Sequence, residues 1–228
     1  MKLVHPDYTF QIEFQEGVVQ KLVLESPSVM SDFIVDFRKQ LEGKDGKWVL
    51  SHKGEVLKIS DNCELIMSIF DLEINQRKML NVLYDELVGE INGTELLIDW
   101  RTINSNLESV LNQAIEGIGY DISYGELELK VLFKALELKF QEDVEGGYVG
   151  YLLEYLRLMS EVRKIHIFII VNISSFLTKT ELEYLYEQAA YKKYQLLFLD
   201  VQNLSVNNER ERTIIVDKDY CVIDTSVG

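Results

Sequence analysis

An uninterrupted apolar run in the last third of the chain predicts a buried β-strand. From Ile165 to Val171 only His166 is polar, so both faces of the strand are apolar. That pattern is typical of the interior of a parallel sheet covered by helices. A second apolar run follows at Tyr194–Val201. We expect the two runs to be neighbouring strands.

The segment between these runs predicts a helix. Thr178 stands three residues before Glu181, which fits a capping box. Leu182, Leu185 and Ala189 then recur at helical spacing. The unit is therefore βαβ, whose strand-to-helix loop often cradles phosphates in nucleotide-binding proteins. No glycine occurs in that loop here, so we expect the shape of such a domain without its phosphate-binding chemistry.

The first sixty residues predict strands and one helix, and the middle of the chain predicts helices. The N-terminal strands fall at Tyr8–Phe14, Val18–Leu24, Trp48–Ser51 and Val56–Ile59, with a helix opening at Ser26. Four apolar stripes at helical spacing follow, at Leu72–Ile91, Leu96–Ile115, about 125–140 and Tyr148–Met159. Their short connections favour antiparallel packing.

The balance of acidic and basic residues changes near the same positions as the predicted secondary structure. Residues 1–68 carry 8 basic and 11 acidic residues, residues 69–161 carry 7 and 18, and residues 162–228 carry 8 and 9. We therefore predict an α/β head domain built from 1–68 and 162–228, with an α-helical domain, 69–161, inserted into it. A net charge of −15 argues against nucleic acid unless basic residues gather on one surface.

Composition indicates a globular protein and the cellular compartment in which it is expected. With 228 residues and 47% hydrophobic content the chain can bury a sizeable core, and no run is long enough to span a bilayer. Cys63 and Cys221 lie far apart, so we expect buried thiols rather than a disulfide or a metal site. The chain is therefore expected to be cytoplasmic, without a membrane partner.

Sequence motifs give no support for an enzyme. The nearest match to a phosphate-binding loop is Gly46-Lys47, which Trp48 follows, and no GxGxxG or GxSxG occurs. His5, His52 and His166 have no second His or Cys at metal-ligand spacing. We expect His5 and His52 at the surface and His166 as a core or interface residue.

Carboxylates between two predicted helices leave two interpretations open. Asp121, Glu126 and Glu128 could contribute oxygen ligands to Ca²⁺. The alternative is a solvated acidic face that complements a helix dipole, and spacing alone favours it.

Several segments together resemble one family. ELIMSIFDLEINQRKMLNVLYDEL, LFKALELKF, KIHIFIIVNISSFLTKTELEYL and YQLLFLDV occur in the order and spacing of the type II-A CRISPR-associated adaptation proteins of the Csn family. The resemblance implies an α/β head related to P-loop kinase-like folds without a functional Walker A motif, plus an inserted helical leg. It also implies a homotetrameric ring whose basic central hole binds linear double-stranded DNA ends without sequence specificity. Such a protein acts in spacer acquisition with the CRISPR integrase and the effector nuclease, and has no catalytic activity.

The resemblance also assigns candidate residues. Five basic positions match the family pattern and are the predicted phosphate contacts: Lys134, Lys139, Arg163, Lys164 and Lys179. Calcium stabilises the ring in this family, and Asp121, Glu126 and Glu128 are the candidate ligands here. This chain has Ser123, Tyr124 and Gly125 where family members place further acids.

Two other functions stay open. A degenerate kinase-like nucleotide binder would need a phosphate loop. A protein-interaction scaffold would use the acidic helical segment to bind a basic partner.

Overall fold

The computed structural model describes residues 1–142, 146–204 and 209–224, which form two compact units. The first unit joins Met1–Glu73 to Asp143–Gly228, and the second is Ile74–Glu142. The strands are β1 (Lys2–Val4), β2 (Gln11–Glu13), β3 (Val19–Leu24), β4 (Val49–His52), β5 (Glu55–Leu57), β6 (Cys63–Ile66), β7 (Ile167–Val171), β8 (Gln195–Asp200), β9 (Glu211–Val216) and β10 (Val222–Asp224). The helices are α1 (Pro27–Leu41), α2 (Ile59–Asn62), α3 (Arg77–Gly93), α4 (Leu96–Glu116), α5 (Leu129–Ala135), α6 (Gly147–Arg163) and α7 (Lys179–Lys192).

The first unit is built on a six-stranded sheet with the order β10-β9-β3-β8-β7-β6. All neighbours from β9 to β6 are parallel, and β10 is antiparallel. Every residue of β7 is buried, as the apolar run predicted. A second sheet of β2-β1-β4-β5 shares one hydrophobic core with α1, in which Leu3, Phe33 and Leu199 are all fully buried.

The strand order reverses beside β3. The chain runs from β3 to β6 at the far edge, returns through β7 to β8, and then crosses to β9 on the other side of β3. Ligands of open α/β sheets bind at such a switch point, outside the carboxyl ends of the strands. In this sheet that position lies at the ends of β3 and β8, where Val23 is paired with Asp200.

The predicted βαβ unit is present, with its capping box. The Thr178 hydroxyl accepts a hydrogen bond from the Glu181 backbone N–H, and the Glu181 carboxylate accepts one from the Thr178 N–H at 2.8 Å. The loop after β7 is a single 3-10 turn at Ile173–Ser175. Asn172 precedes the turn in the left-handed region, with φ 54°.

Helix α6 belongs to the first unit, whereas sequence placed residues 147–161 in the inserted segment. Leu152, Leu156 and Met159 are fully buried along one face of α6. Helix α6 contacts α7 within this unit. Helical periodicity identifies an apolar face, but it does not show which core that face joins.

The second unit contains α3, α4 and α5 around a small apolar cluster centred on Tyr84, Leu129 and Phe133. Helix α5 ends at Ala135, earlier than predicted. Glu137 adopts φ 50°, and the Leu138 N–H donates to the Phe133 carbonyl at 3.0 Å, as in a Schellman cap. No helix within the described ranges is long and apolar enough to cross a membrane.

Two expectations about polar side chains were wrong. Cys63 is buried, and burial raises the pKa of its thiol to about 12, but Cys221 is exposed. His5 is buried, with its ring centroid 4.8 Å from that of Trp48. His166 is exposed in the single chain, which excludes the core and leaves the interface as its expected place. His166 still has a partner, since its Nδ1 lies 2.9 Å from the Ser160 hydroxyl.

Candidate nucleic-acid interface

Two of the five predicted phosphate contacts lie in the second unit and point to solvent. Lys134 is in the last turn of α5, and Lys139 follows the cap of that helix. Both side chains are exposed, and neither forms an ion pair with another described residue. Lys130 on the same helix differs, because its ammonium is paired with Asp85. Lys134 and Lys139 are therefore available to an external anion.

The side chain of Asn75 brings Lys139 next to the start of α3. Its Nδ2 donates to the Phe140 carbonyl at 3.1 Å, and its Oδ1 accepts from the Phe140 N–H at 2.9 Å. This pair of hydrogen bonds fixes the backbone beside Lys139. Arg77 and Lys78 open α3 only two and three residues after Asn75. We call Arg77, Lys78 and Lys139 the clamp patch.

The clamp patch concentrates the positive charge of an acidic unit. It holds three of the six Lys and Arg residues of Ile74–Glu142. All three side chains are exposed and lack ion pairs within the described ranges. Two acids lie nearby: Glu142 accepts from Asn75 Nδ2 at 2.7 Å, and Glu137 lies two residues before Lys139. The patch is therefore basic by a small margin.

Sequence reasoning missed Arg77 and Lys78. They lie about sixty positions from Lys139. The two segments are joined by the Asn75 side chain and by the Tyr84 hydroxyl of α3, which donates to the Leu138 carbonyl at 2.9 Å. One local signal did exist, because the first turn of α3 carries an Arg-Lys pair and no acid. A helix dipole favours the opposite charge at that position, so the pair does not stabilise α3 through the dipole.

The other three predicted contacts lie in the first unit, and each has an internal partner. Arg163, whose side chain is 22% exposed, lies 3.6 Å from the Glu64 carboxylate. Lys164 adopts φ 60° at the end of α6, and its Nζ donates to the Glu161 carbonyl at 2.5 Å. Lys179 lies 3.9 Å from Glu183, one turn along α7. Arg163 is the least available of the three, because it is also the least exposed.

The structure does not bring Asp121, Glu126 and Glu128 together as a ligand set. All three are exposed in the segment before α5, where the Glu128 carbonyl caps that helix. Across residues 1–142, 146–204 and 209–224, no group of three or more acidic, His or Cys side chains could hold a metal ion. Calcium takes six to eight oxygen ligands, and these three residues as placed do not fit the ion.

A family comparison identifies this chain as a CRISPR-associated protein. Residues 40–220 match the CRISPR-associated proteins described as Cas_Csn2. The chain belongs to the Csn2 family, and this membership implies a role in CRISPR adaptation.

Solved structures show a loose likeness to ATP-binding proteins. A bacterial Atm1-family ABC exporter with ATP bound aligns with TM-score 0.43 and 12% identity over 95% of this chain and 37% of the exporter chain. An inward-facing putative metal-chelate type ABC transporter gives 0.41 and 10% over 94% and 74%. The ADP conformation of MJ1267, an ATP-binding cassette of an ABC transporter, gives 0.44 and 14% over 90% and 79%. The chain thus spans little more than a third of the exporter.

Proposed function

We propose that this protein is a non-catalytic, sequence-independent double-stranded DNA-binding protein of CRISPR adaptation. Four copies would form a ring around linear duplex, with the CRISPR integrase and effector nuclease as partners. Family membership supports the adaptation role. The observation that carries the DNA contact is the clamp patch together with Lys134, four exposed cations without ion pairs among the described residues of an acidic unit.

The chemistry of these residues fits backbone recognition. Lysine and arginine side chains neutralise phosphates without reading bases, so binding would not depend on sequence. Each neutralised phosphate releases condensed counterions, and affinity then falls steeply with salt. An overall charge of −15 does not oppose this arrangement if the acids face away from the duplex.

Self-association is supported by α4. None of the residues of this 21-residue helix is buried within the chain. Ile103 and Val110 are 56% and 63% exposed, and Leu107 lies on the same side of the helix. Exposed apolar stripes of this kind commonly mark protein contacts. Assembly would also multiply the basic patches that a duplex meets.

Mobility of a linear duplex in native gels tests the DNA proposal. The variant Lys134→Glu/Lys139→Glu should bind at least tenfold more weakly than the wild type at low salt. Lys192→Glu/Lys193→Glu makes the same charge change at two exposed lysines of the first unit, of which Lys193 is paired with Glu16 at 3.0 Å, and it is the matched control. The proposal fails if wild-type protein does not retard linear duplex at low salt, in EDTA or in added Ca²⁺. The two buffers also measure any effect of calcium.

A further inference from the structure

A lysine is fully buried on the face of the central sheet that α7 covers. Lys21 lies in β3, and its side chain has no exposed area. Its Nζ donates to the Leu204 carbonyl at 2.7 Å and lies 3.7 Å from Asp200 Oδ2 and 4.0 Å from Glu211 Oε1. The latter two distances are too long for direct hydrogen bonds. The ammonium is therefore surrounded by three oxygens, of which it forms a direct hydrogen bond only with the Leu204 carbonyl.

Neutral hydroxyl groups complete the lining. Ser174 Oγ donates to Asp200 Oδ2 at 2.5 Å. Glu211 accepts from the Tyr186 hydroxyl and, at 3.0 Å, from Thr213 Oγ1. These donors orient both carboxyl groups around the ammonium. Since α7, β9 and the turn after β7 each supply a donor, the arrangement is built by several elements rather than by one loop.

One oxygen of this cluster remains without a partner. Asp200 is 3% exposed, and its Oδ1 has no hydrogen-bond partner among the described residues. Leaving a buried polar atom unpaired costs about 1–3 kcal/mol. The ammonium of Lys21 therefore does not satisfy every acceptor of the cluster.

The position of the cluster adds a second argument. Asp200 is the last residue of β8 and is paired with Val23 of β3, so it marks the point where the strand order reverses. Open α/β sheets bind their ligands outside the carboxyl ends of the strands at this point. Here that place holds two carboxyl groups, a backbone carbonyl and the chain's own ammonium.

We propose that Lys21 fills a cation-binding site at the switch point of the sheet, and that the emptied site binds a small primary alkylammonium ion. The Leu204 carbonyl, the Asp200 carboxyl and the Glu211 carboxylate are the acceptors that would receive its N–H groups. In the wild type the lysine supplies the positive charge that a bound ligand would otherwise bring. The inference is independent of DNA binding, because the Lys21, Asp200 and Glu211 side chains are buried.

Chemical rescue of Lys21→Ala tests the proposal. Thermal unfolding would be followed with ethylammonium chloride as the probe and with tetramethylammonium chloride at equal ionic strength as the control. Tetramethylammonium has the same charge but no N–H donor. At ten times its dissociation constant, ethylammonium should raise the folding equilibrium constant of Lys21→Ala about elevenfold. The wild type, whose site is filled, should show no difference between the two salts.

Two further variants separate the site from a general salt effect. Lys21→Met fills the space with an uncharged chain and should not respond to ethylammonium. Lys21→Ala/Glu211→Gln lacks the carboxylate and should also lose the response. Equal stabilisation by both salts, a response of the wild type, or no response of folded Lys21→Ala would overturn the proposal.

If Lys21→Ala does not fold in plain buffer, refolding from urea gives the same comparison. Recovery of folded protein only with ethylammonium supports the site. No recovery in either salt, while Lys21→Met refolds, rejects it.

Discussion

Lys21 and Asp200 form a buried pair in which Nζ and Oδ2 are 3.7 Å apart and both side chains are almost without exposed area. Glu211 lies 4.0 Å from the same ammonium, so two carboxyl groups share one cation. Burying an uncompensated charge costs several kcal/mol, so one of the two should carry a proton. Glu211 receives two hydroxyl donors, whereas Asp200 receives one hydroxyl donor, and its Oδ1 has no partner among the described residues. Asp200 is therefore the better site for the proton.

The first prediction concerns Asp200 and pH. Burial raises the pKa of Asp200 above its ordinary value, against the opposing hydrogen bond from Ser174 and the charge of Lys21. The folded state then holds a proton that the unfolded chain has released. This contribution to stability is complete below the ordinary Asp pKa and is lost as pH rises through the raised value. Asp200→Asn cannot release a proton, so its stability relative to the wild type should increase as pH rises.

Urea unfolding at several pH values checks this prediction. At pH 8 Asp200→Asn should lie within about 1 kcal/mol of the wild type or above it, while Glu211→Gln should lose about 3 kcal/mol. The reverse ranking would show that Asp200 is the ionised partner of Lys21.

The second prediction tests the clamp patch. Arg77→Glu/Lys78→Glu should weaken binding of linear duplex and reduce the slope of log affinity against log salt by about 2, since each phosphate contact contributes about 0.9. Removal of two cations from the first turn should leave α3 no less stable, because its dipole favours acids there. Binding titrations from 50 to 200 mM salt measure the slope. An unchanged slope would exclude these residues from the interface.

Some features of the fold were visible in the sequence because they are local. The capping box at Thr178 and the apolar run of β7 depend only on neighbouring residues, and both are present. The unit that α6 joins depends on distant packing, and so does the burial of His5 against Trp48. The link between Lys139 and Arg77 depends on hydrogen bonds of the Asn75 and Tyr84 side chains to backbone groups more than fifty positions away. Spacing along the chain contains no signal for contacts of that kind.

The third prediction separates a structural from a DNA-binding role for Arg163. Its guanidinium lies 3.6 Å from Glu64, which also accepts from the Tyr155 hydroxyl at 3.1 Å. Arg163→Ala should therefore lower the free energy of unfolding by about 1 kcal/mol and change duplex affinity less than Lys139→Ala does. Chemical unfolding and gel mobility give the two readouts. A large loss of affinity with unchanged stability would assign Arg163 to the interface instead.

The fourth prediction concerns the start of α7. Thr178→Ala removes the side-chain acceptor of the Glu181 N–H and should cost about 1 kcal/mol, whereas Thr178→Ser keeps the hydroxyl and should cost less.

The same cap makes stability depend on pH. The hydrogen bonds from Thr178 hold the pKa of Glu181 below its ordinary value. The contribution of Glu181 is therefore present above the ordinary Glu pKa and lost as pH falls through the lowered one. Urea unfolding of both variants at pH 7 and pH 3 measures the two effects, and equal losses for Ala and Ser would show that the cap contributes nothing.

The fifth prediction concerns assembly through α4. Val110 is 63% exposed on a helix that buries no residue within its own chain, so a charge at this position should cost the folded monomer little. If α4 forms a contact between copies, burial of this side chain contributes about 1.5–3 kcal/mol there, and Val110→Glu should weaken association at least tenfold. Ser109→Glu places the same charge one residue away on the exposed polar side and should leave the assembly intact. Light scattering gives the mass of each variant, and circular dichroism verifies that both are folded. A Val110→Glu protein with the mass of the wild type would remove α4 from the interface and leave the DNA-binding proposal to be tested by the lysine variants alone.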